Sequence, residues 1–376
     1  MPGRLRRRIV AGHFPVMTHT FRLGELYSGP GGLGLAALWA SKKVGGASIE
    51  HAWASDYDYD TCKTYAQNVM GRDHFACQPS PTDLPSVYCA DSRKLDTGSL
   101  PPIDALAFGA PCNDWSAVGE RKGFEGNYGP LYTYGVDVLR SHDPQWFLFE
   151  NVGGIRGDGF EQVCADFADA GYRLYPHYYD FSDYGVAQKR KRVVVIGIRN
   201  DLDVEYRVPA PIDADISAAT ALAGIHPTAP NHDFARTNAT TVNRLNHIQP
   251  GQNAWTADLP EHLRIKTKTT ISSMYRRLEP DKPSYTVTGA GGGGYRIYHW
   301  DEPRPLTNRE RARLQSFPDD FVFTGGRESV RKQIGMAVPP VGAQAIFEAV
   351  LKSFTGEDYD WIESNMTFES KEMAAA

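Results

Sequence analysis

The sequence predicts an α/β fold: a doubly wound, mostly parallel sheet joined to a smaller, irregular second domain. Three observations predict it. A strand-like stretch from Phe21 runs into the glycine turn of Gly29, Pro30, Gly31 and Gly32, and a helix follows over residues 35–39. Short apolar runs then recur at residues 52–56, 103–108 and 146–152, of strand length and too short for helices. From about Asn200 the pattern stops, and residues 200–285 are rich in Pro, Asn, Thr and Asp with no long helical period.

The elements follow in order. Glycines let a backbone approach a ligand closely, and a helix start offers unpaired N–H groups. The turn after the first strand therefore reads as a phosphate or nucleoside cradle. The second strand ends at Asp56, where an acid of a doubly wound sheet takes ribose hydroxyls, and Tyr57 beside it can stack on a base. A third short strand ends near Asp91 and Ser92. The spacing does not match a full dinucleotide fingerprint, so a nucleoside-bearing cofactor other than NAD is favoured. The run 103–108 leads to Pro111 and Cys112, and the glycine-rich residues 116–131 beyond it read as a lid or an ordinary surface loop. Helices are expected over 132–140 and 160–170, and strands over 173–179 and 193–198. Alternation places Gln188, Arg190 and Arg192 on one face of an extended chain, aimed at the pocket or its rim. Residues 284–296 read as strand, glycine run, strand; the glycine run suits a phosphate cradle and a flexible hairpin equally. Thr307 with Glu310 forms a capping-box pattern for a helix that stops at Pro318, and a last helix covers 341–354. The acidic tail beyond Glu357 is expected to be loosely held.

Composition narrows the function classes. The 376 residues carry a net charge of −5, with 41% hydrophobic and 23% charged residues, ordinary for a globular protein. No apolar run approaches eighteen residues, so no membrane span is expected. The basic start, Arg4 to Arg8, lacks a following apolar region and reads as a solvated tail. Five cysteines, Cys62, Cys77, Cys89, Cys112 and Cys164, form no CxxC pair, which speaks against a disulfide framework or a zinc site and for a reducing cytoplasm. Arg264, Lys266, Lys268, Arg276 and Arg277 lie in one acid-free stretch, and Lys189, Arg190, Lys191, Arg192 and Arg199 in another. Two basic faces on an acidic protein suit a cleft for a polyanion.

The chemistry centres on two strand ends. Catalytic groups of such sheets sit at the carboxyl ends of the strands. Cys112 follows one apolar run and Glu150 closes the next, so a thiol and a carboxylate can face one pocket. Taken alone, Cys112 reads equally as a small buried apolar residue.

Six blocks in order give these residues a family resemblance. They are Glu25 to Gly32, Ser55-Asp56, Pro111-Cys112, Glu150-Asn151-Val152, Gln188-x-Arg190-x-Arg192, and Leu306 to Gln315 together with Gly335 to Pro340. The chain resembles bacterial-type DNA cytosine-5 methyltransferases from about Phe21 to Phe354, apart from the variable stretch after Asn200. The resemblance implies S-adenosylmethionine as methyl donor, held by Tyr27, Ser28, Gly29, Pro30, Gly31 and Gly32. Asp56 would take the ribose, and Tyr57, Asp91 and Ser92 would surround the adenine. Pro111, Met336, Ala337 and Val338 would complete that site. Cys112 would be the nucleophile, Glu150 would meet the cytosine ring nitrogen, and Arg190 and Arg192 would support base and loop. Ser116, Gln188, Arg264, Lys266, Lys268, Arg276 and Arg277 would meet DNA.

The implied organisation is a catalytic domain over 18–199, target recognition over 200–302, a bridge over 303–333, and a returning helix and tail over 334–376. The implied substrate is a flipped-out cytosine in double-stranded DNA, and the implied setting is a monomer of a restriction-modification system with a cognate endonuclease. An RNA cytosine methyltransferase on the same core and a catalytically dead DNA-binding relative are the rival readings. Four departures stand out: Asn113 where Gln is usual, Met336 for Asn, Asp56 for Glu and Tyr27 for Phe. None removes a reacting group.

Overall fold

A computed structural model describes residues 19–71, 86–111, 129–156, 158–212, 214, 216–266, 272–289 and 296–368. The elements in order are β1 (His19–Leu26), α1 (Gly32–Lys43), β2 (Ala47–Asp56), α2 (Tyr59–Asn68), β3 (Ser86–Cys89), β4 (Ala105–Phe108), α3 (Thr133–His142), β5 (Trp146–Val152), α4 (Asp158–Asp169), β6 (Tyr172–Asp180) and β7 (Lys191–Arg199). Then come β8 (Val208–Pro209), α5 (Ala218–Leu222), α6 (Ala239–Asn246), α7 (Asn308–Leu314), α8 (Arg327–Met336), α9 (Pro340–Thr355) and β9 (Trp361–Ile362).

Among the described residues seven strands form one sheet, in the order β3-β2-β1-β4-β5-β7-β6. The first five pair in parallel, while β7 runs antiparallel to both β5 and β6. The chain winds outward from β1 through β2 to β3, then returns to start again at β4. The winding direction therefore switches between β1 and β4, the place where sheets of this kind open a crevice for ligands. This is the doubly wound α/β fold that the apolar runs predict.

Both sheet faces are covered, which is why the strands read as unbroken apolar runs rather than as alternation. Ala105, Ala107, Trp146 and Leu148 face one core with α1 and α9. Leu106, Phe108, Phe147 and Phe149 face the other with α3 and α4. α9 thus brings the end of the chain back onto the first helix. It opens with proline in its first turn and closes on Gly356 at φ 69°, the asymmetry expected of proline starts and glycine stops. Within residues 327–355 one 18-residue window is apolar enough to pass for a membrane span by length and composition, yet 78% of that window is buried inside the fold.

Three local expectations are revised. The helix after Thr307 has both capping-box bonds, but it ends at Leu314 because Ser316 takes a left-handed φ of 64° before Pro318 is reached. Residues 284–289 and 296–298 form isolated bridges instead of strands, to Gln188 and Arg277 among others. Residues 358–368 of the tail are docked, not loose. Tyr359 Oη donates to Arg207 O at 2.9 Å, β9 pairs with β8, and Asn365 both accepts from Tyr178 N and donates to Tyr178 O. Strand β6 is an edge of the sheet, and the tail gives its unpaired backbone partners.

Between 200 and 302 regular structure among the described residues is limited to β8, α5, α6 and one short 3-10 turn. A separate apolar cluster holds this region together, built from Leu245, Ile248, Leu259, Met274, Tyr275 and Tyr298.

Candidate active site

The glycine turn sits at the switch point, and its three glycines have different reasons. Gly29 has φ +56° with open space where a Cβ would be, so backbone conformation calls for it. A Cβ on Gly31 would lie 2.6 Å from Val69 Cγ2, and one on Gly32 would lie 2.1 Å from the carbonyl oxygen of Val338. Gly32 therefore lets the 336–338 segment press against the start of α1. Tyr27 adopts a positive φ of 54°, and its Oη lies 2.7 Å from Leu131 O and 2.9 Å from Ser92 Oγ. Ser28 and Pro30 are buried beneath the turn. Behind it Glu25 is fully buried, with Tyr65 Oη donating to its carboxylate and His51 Nδ1 3.4 Å away.

Asp56 ends β2 beside this turn. Its Oδ2 accepts from Gly29 N at 3.1 Å and its Oδ1 from Asp58 N at 3.0 Å. Burial pushes its carboxyl up to about 6 from an ordinary 3.8, and the backbone N–H groups only partly offset that. Tyr57 is 62% exposed, and Lys332 Nζ donates to its Oη at 3.0 Å. Asp91 caps the following turn, and the adjacent Arg93 holds its carboxyl below the usual range. Ala337 and Val338 are buried, whereas Met336 is exposed. An acid aimed by two backbone donors, an open glycine and an exposed aromatic ring fit a nucleoside-bearing group.

Glu150 closes β5, next to β4. A Cβ on Gly109 would lie 3.0 Å from Glu150 Oε2, so glycine lets the carboxylate rest against the strand end that leads to Pro111. Asn151 Nδ2 donates to Ala110 O at 3.4 Å, tying the two strand ends together. Arg192 Nε donates to Glu150 Oε1 at 2.8 Å, and both side chains are largely buried. Cys112, Asn113, Ser116 and Lys268, with the loop 116–128 and the glycine run 290–294, lie outside the described residues. Of the described cysteines, Cys62 and Cys164 are buried, and burial pushes both thiols up, away from nucleophilic character.

The alternation over 188–192 holds, with Lys189 and Lys191 exposed, but its three inner residues do different things. Gln188, expected at a DNA-facing surface, is fully buried instead. Its amide donates to Gln315 Oε1 at 2.8 Å and accepts from Val287 N at 2.6 Å in the interior. Arg190, 2% exposed, donates to the carbonyls of Val287, Gly335 and Met336, and so fastens the 335–336 segment to the sheet. Only Arg192 reaches the carboxylate. Arg277 is also turned inward, away from any phosphate: its guanidinium donates to the carbonyls of Leu245, Ile248, His299 and Glu302. Arg264 and Lys266 are exposed, and Arg276 lies over the Tyr285 ring at 4.5 Å. Periodicity gives the face of a side chain but not whether that face meets solvent or another lobe. Nothing in the sequence assigns Lys332 a role, and Asn151 and Glu25 are marked only as members of motif blocks; of their contacts, only that of Glu25, a carboxylate inside an apolar strand, carries a visible signal. A hollow of about 410 Å³ between Gly185 and Phe317 contains none of the residues of this site.

The fold and this arrangement define a methyltransferase of the class I α/β type. The solved structures similar to it include a DNA modification methyltransferase encoded within an E. coli prophage, with TM-score 0.66 and 21% identity over 89% of this chain and 99% of that one. A Dnmt2 methyltransferase from S. pombe matches with TM-score 0.55 and 16% identity, over 88% and 98% of the two chains. At such identities the likeness shows the fold. The sequence comparisons go further. The model of the C-5 cytosine-specific DNA methylase family matches residues 21–352. The Type II methyltransferase M.BbvI of Brevibacillus brevis is 51% identical over 368 residues, 93% of this chain and 96% of the relative. The Type II methyltransferase M.NgoFVII of Neisseria gonorrhoeae is 33% identical over 354 residues, 90% of this chain and 88% of the relative. The chain belongs to the C-5 cytosine-specific DNA methylase family and is a DNA cytosine-5 methyltransferase.

Proposed function

We propose that the protein transfers a methyl group from S-adenosylmethionine to C5 of a cytosine rotated out of a specific duplex sequence, through a transient bond between Cys112 and C6. The observation that carries this reading is the pairing of strand ends at the switch point. The end of β4, leading to Pro111 and Cys112, rests against the Glu150 carboxylate, while the glycine turn and Asp56 open beside it.

S-adenosylmethionine, when bound, supplies an electrophilic methyl group. Asp56 accepts its ribose hydroxyls, and Tyr57 covers its adenine. C5 of cytosine is too weak a nucleophile to take that methyl unaided. Attack by the Cys112 thiolate on C6 makes C5 enamine-like and divides one hard step into easier ones. Glu150 holds a proton at N3 as electron density builds there, a contribution of roughly 10²–10⁴-fold for general acid help of this kind. Arg192 keeps the carboxylate oriented. The C5 proton is then lost to a base or water, and departure of the cysteine restores the ring. Extruding the base costs a few kcal/mol. The loop 116–131, with Ser116, closes over the base in this reading. Residues 18–199 hold the chemistry, 200–302 read the sequence, 303–333 bridge, and 334–376 return to the sheet. Arg264, Lys266, Lys268 and Arg276 meet phosphates.

The names of the relatives favour a type II modification enzyme. In this reading the protein is a cytoplasmic monomer, and its genetic setting holds a cognate endonuclease that cuts the same site. The test is incorporation of labelled methyl groups into unmethylated genomic DNA and into tRNA, followed by bisulfite sequencing. One recurrent duplex motif is expected, methylated and so protected from bisulfite conversion by wild type and not by Cys112→Ser. Label in tRNA alone, or equal turnover by the variant, refutes the proposal. Exchanging residues 200–302 with those of a relative should move the motif; an active chimera with the old motif refutes that assignment.

A further inference from the structure

One basic pocket is left unused by the reading above. It lies at the start of α8 and is lined by Arg296, Arg311, Arg327 and Arg331 against only two acids, Asp233 and Glu328. The four guanidiniums come from three separate parts of the chain, so their convergence is a property of the fold and not of a local charge run. Arg311 is 2% exposed, and its Nη1 donates to Thr288 O at 3.3 Å. Arg327 is exposed, and its Nη2 donates to Phe234 O at 3.3 Å. Arg331 Nε donates to Gly289 O at 3.2 Å, and Arg331 also pairs with Glu328. A guanidinium has five N–H donors, so the bond to Phe234 O orients Arg327 without exhausting it.

Gathering these charges is unfavourable as the protein stands. Burial, and then repulsion from Arg331 and Arg296, push Arg311 down to about 10. It remains a cation at neutral pH, and an anion in the pocket would relieve the repulsion. The pocket also adjoins the cofactor side of the cleft, since Lys332, the next residue along α8, bonds Tyr57.

We propose that a backbone phosphate of the substrate duplex rests on the mouth of this small hollow, with exposed Arg327 meeting it, Arg331 beside it and Arg311 as the buried charge behind them. Planar guanidiniums suit phosphate oxygens, and such contacts set the register of a protein on DNA without reading bases. The inference rests on the reading that the substrate is duplex DNA.

The experiment is equilibrium binding of the full chain to duplex DNA over a series of salt concentrations. It compares wild type, Arg327→Gln, the double variant Arg327→Gln/Arg331→Gln, and the charge-keeping double variant with lysine at both positions. Each lost phosphate contact lowers the slope of log affinity against log salt by about 0.9. The glutamine variants should show a slope lower by about 1 and roughly tenfold weaker binding at low salt. Their S-adenosylmethionine affinity should not change, and lysine should restore the slope. Wild-type slope and affinity in the glutamine variants overturn this inference and leave the DNA reading standing. A wild-type protein with no salt-dependent duplex binding overturns both. Loss of S-adenosylmethionine affinity in Arg327→Gln as well as the double variant marks the pocket as structural and overturns the inference.

Discussion

Burial pushes the Asp56 carboxyl up to about 6 from an ordinary 3.8. Two consequences can be worked out. The first concerns cofactor binding. Ribose hydroxyls donate to the charged carboxylate, so the form that binds is the deprotonated one. One pH unit below the folded value, about one molecule in eleven carries that charge, and affinity for S-adenosylmethionine should fall roughly tenfold between pH 7 and pH 5. The second concerns stability. Between the unfolded and folded values the native state holds a proton that the unfolded chain does not, so this group favours the folded state as pH falls from about 6 to about 4. A displacement of about two pH units corresponds to about 3 kcal/mol, nearly absent at pH 7, largely present at pH 4 and complete only below the unfolded value. The perturbation is Asp56→Asn, and the assays are calorimetric titration with S-adenosylmethionine and urea unfolding, each at pH 5, 6 and 7. The variant should bind weakly with a flat pH profile and lose this part of the pH dependence of stability. A wild-type affinity that does not change across the range, or a variant that keeps the wild-type profile, refutes the reasoning.

Other outcomes follow from individual contacts. Glu150→Gln should slow single-turnover methyl transfer at least a hundredfold with DNA affinity within a few fold; an unchanged single-turnover rate removes Glu150 from the chemistry. Gly32→Ala should lower the urea midpoint by an amount worth about 1–3 kcal/mol or more, because its Cβ meets the rigid Val338 carbonyl at 2.1 Å. Gly29→Ala, in open space, should cost only the left-handed backbone term of about 1–2 kcal/mol, and equal losses in the two variants contradict this distinction. Arg277→Met should destabilise the protein by a few kcal/mol while leaving the salt dependence of DNA binding unchanged, since its donors serve four internal carbonyls. A lower salt slope in that variant would return Arg277 to the DNA surface.

The sheet was legible because strands buried on both faces leave apolar runs that few other structures explain, and the glycine turn and capping box mark helix starts by local chemistry. The ends of β1, β2, β4 and β5 could therefore be placed from residues alone, and with them Asp56 and Glu150. Long-range partners were not legible. Nothing local distinguishes Arg192, which meets Glu150, from Arg190, which fastens the 335–336 segment, since both follow the same alternation. Arg277 reads as a surface cation until the carbonyls of Leu245 and Ile248 are brought to it. The tail reads as loose because its anchors, from Tyr359, β9 and Asn365, all reach partners distant in sequence.

The central claim is a bond between one sulfur and the target pyrimidine, and covalent trapping measures it directly. Duplex DNA synthesised with 5-fluorodeoxycytidine in place of deoxycytidine has no C5 proton to lose, so the adduct should persist when protein and S-adenosylmethionine are added. Peptide mapping should then find one DNA-linked peptide, attached through Cys112. No linked species from an otherwise active protein, or attachment through another side chain, contradicts the account.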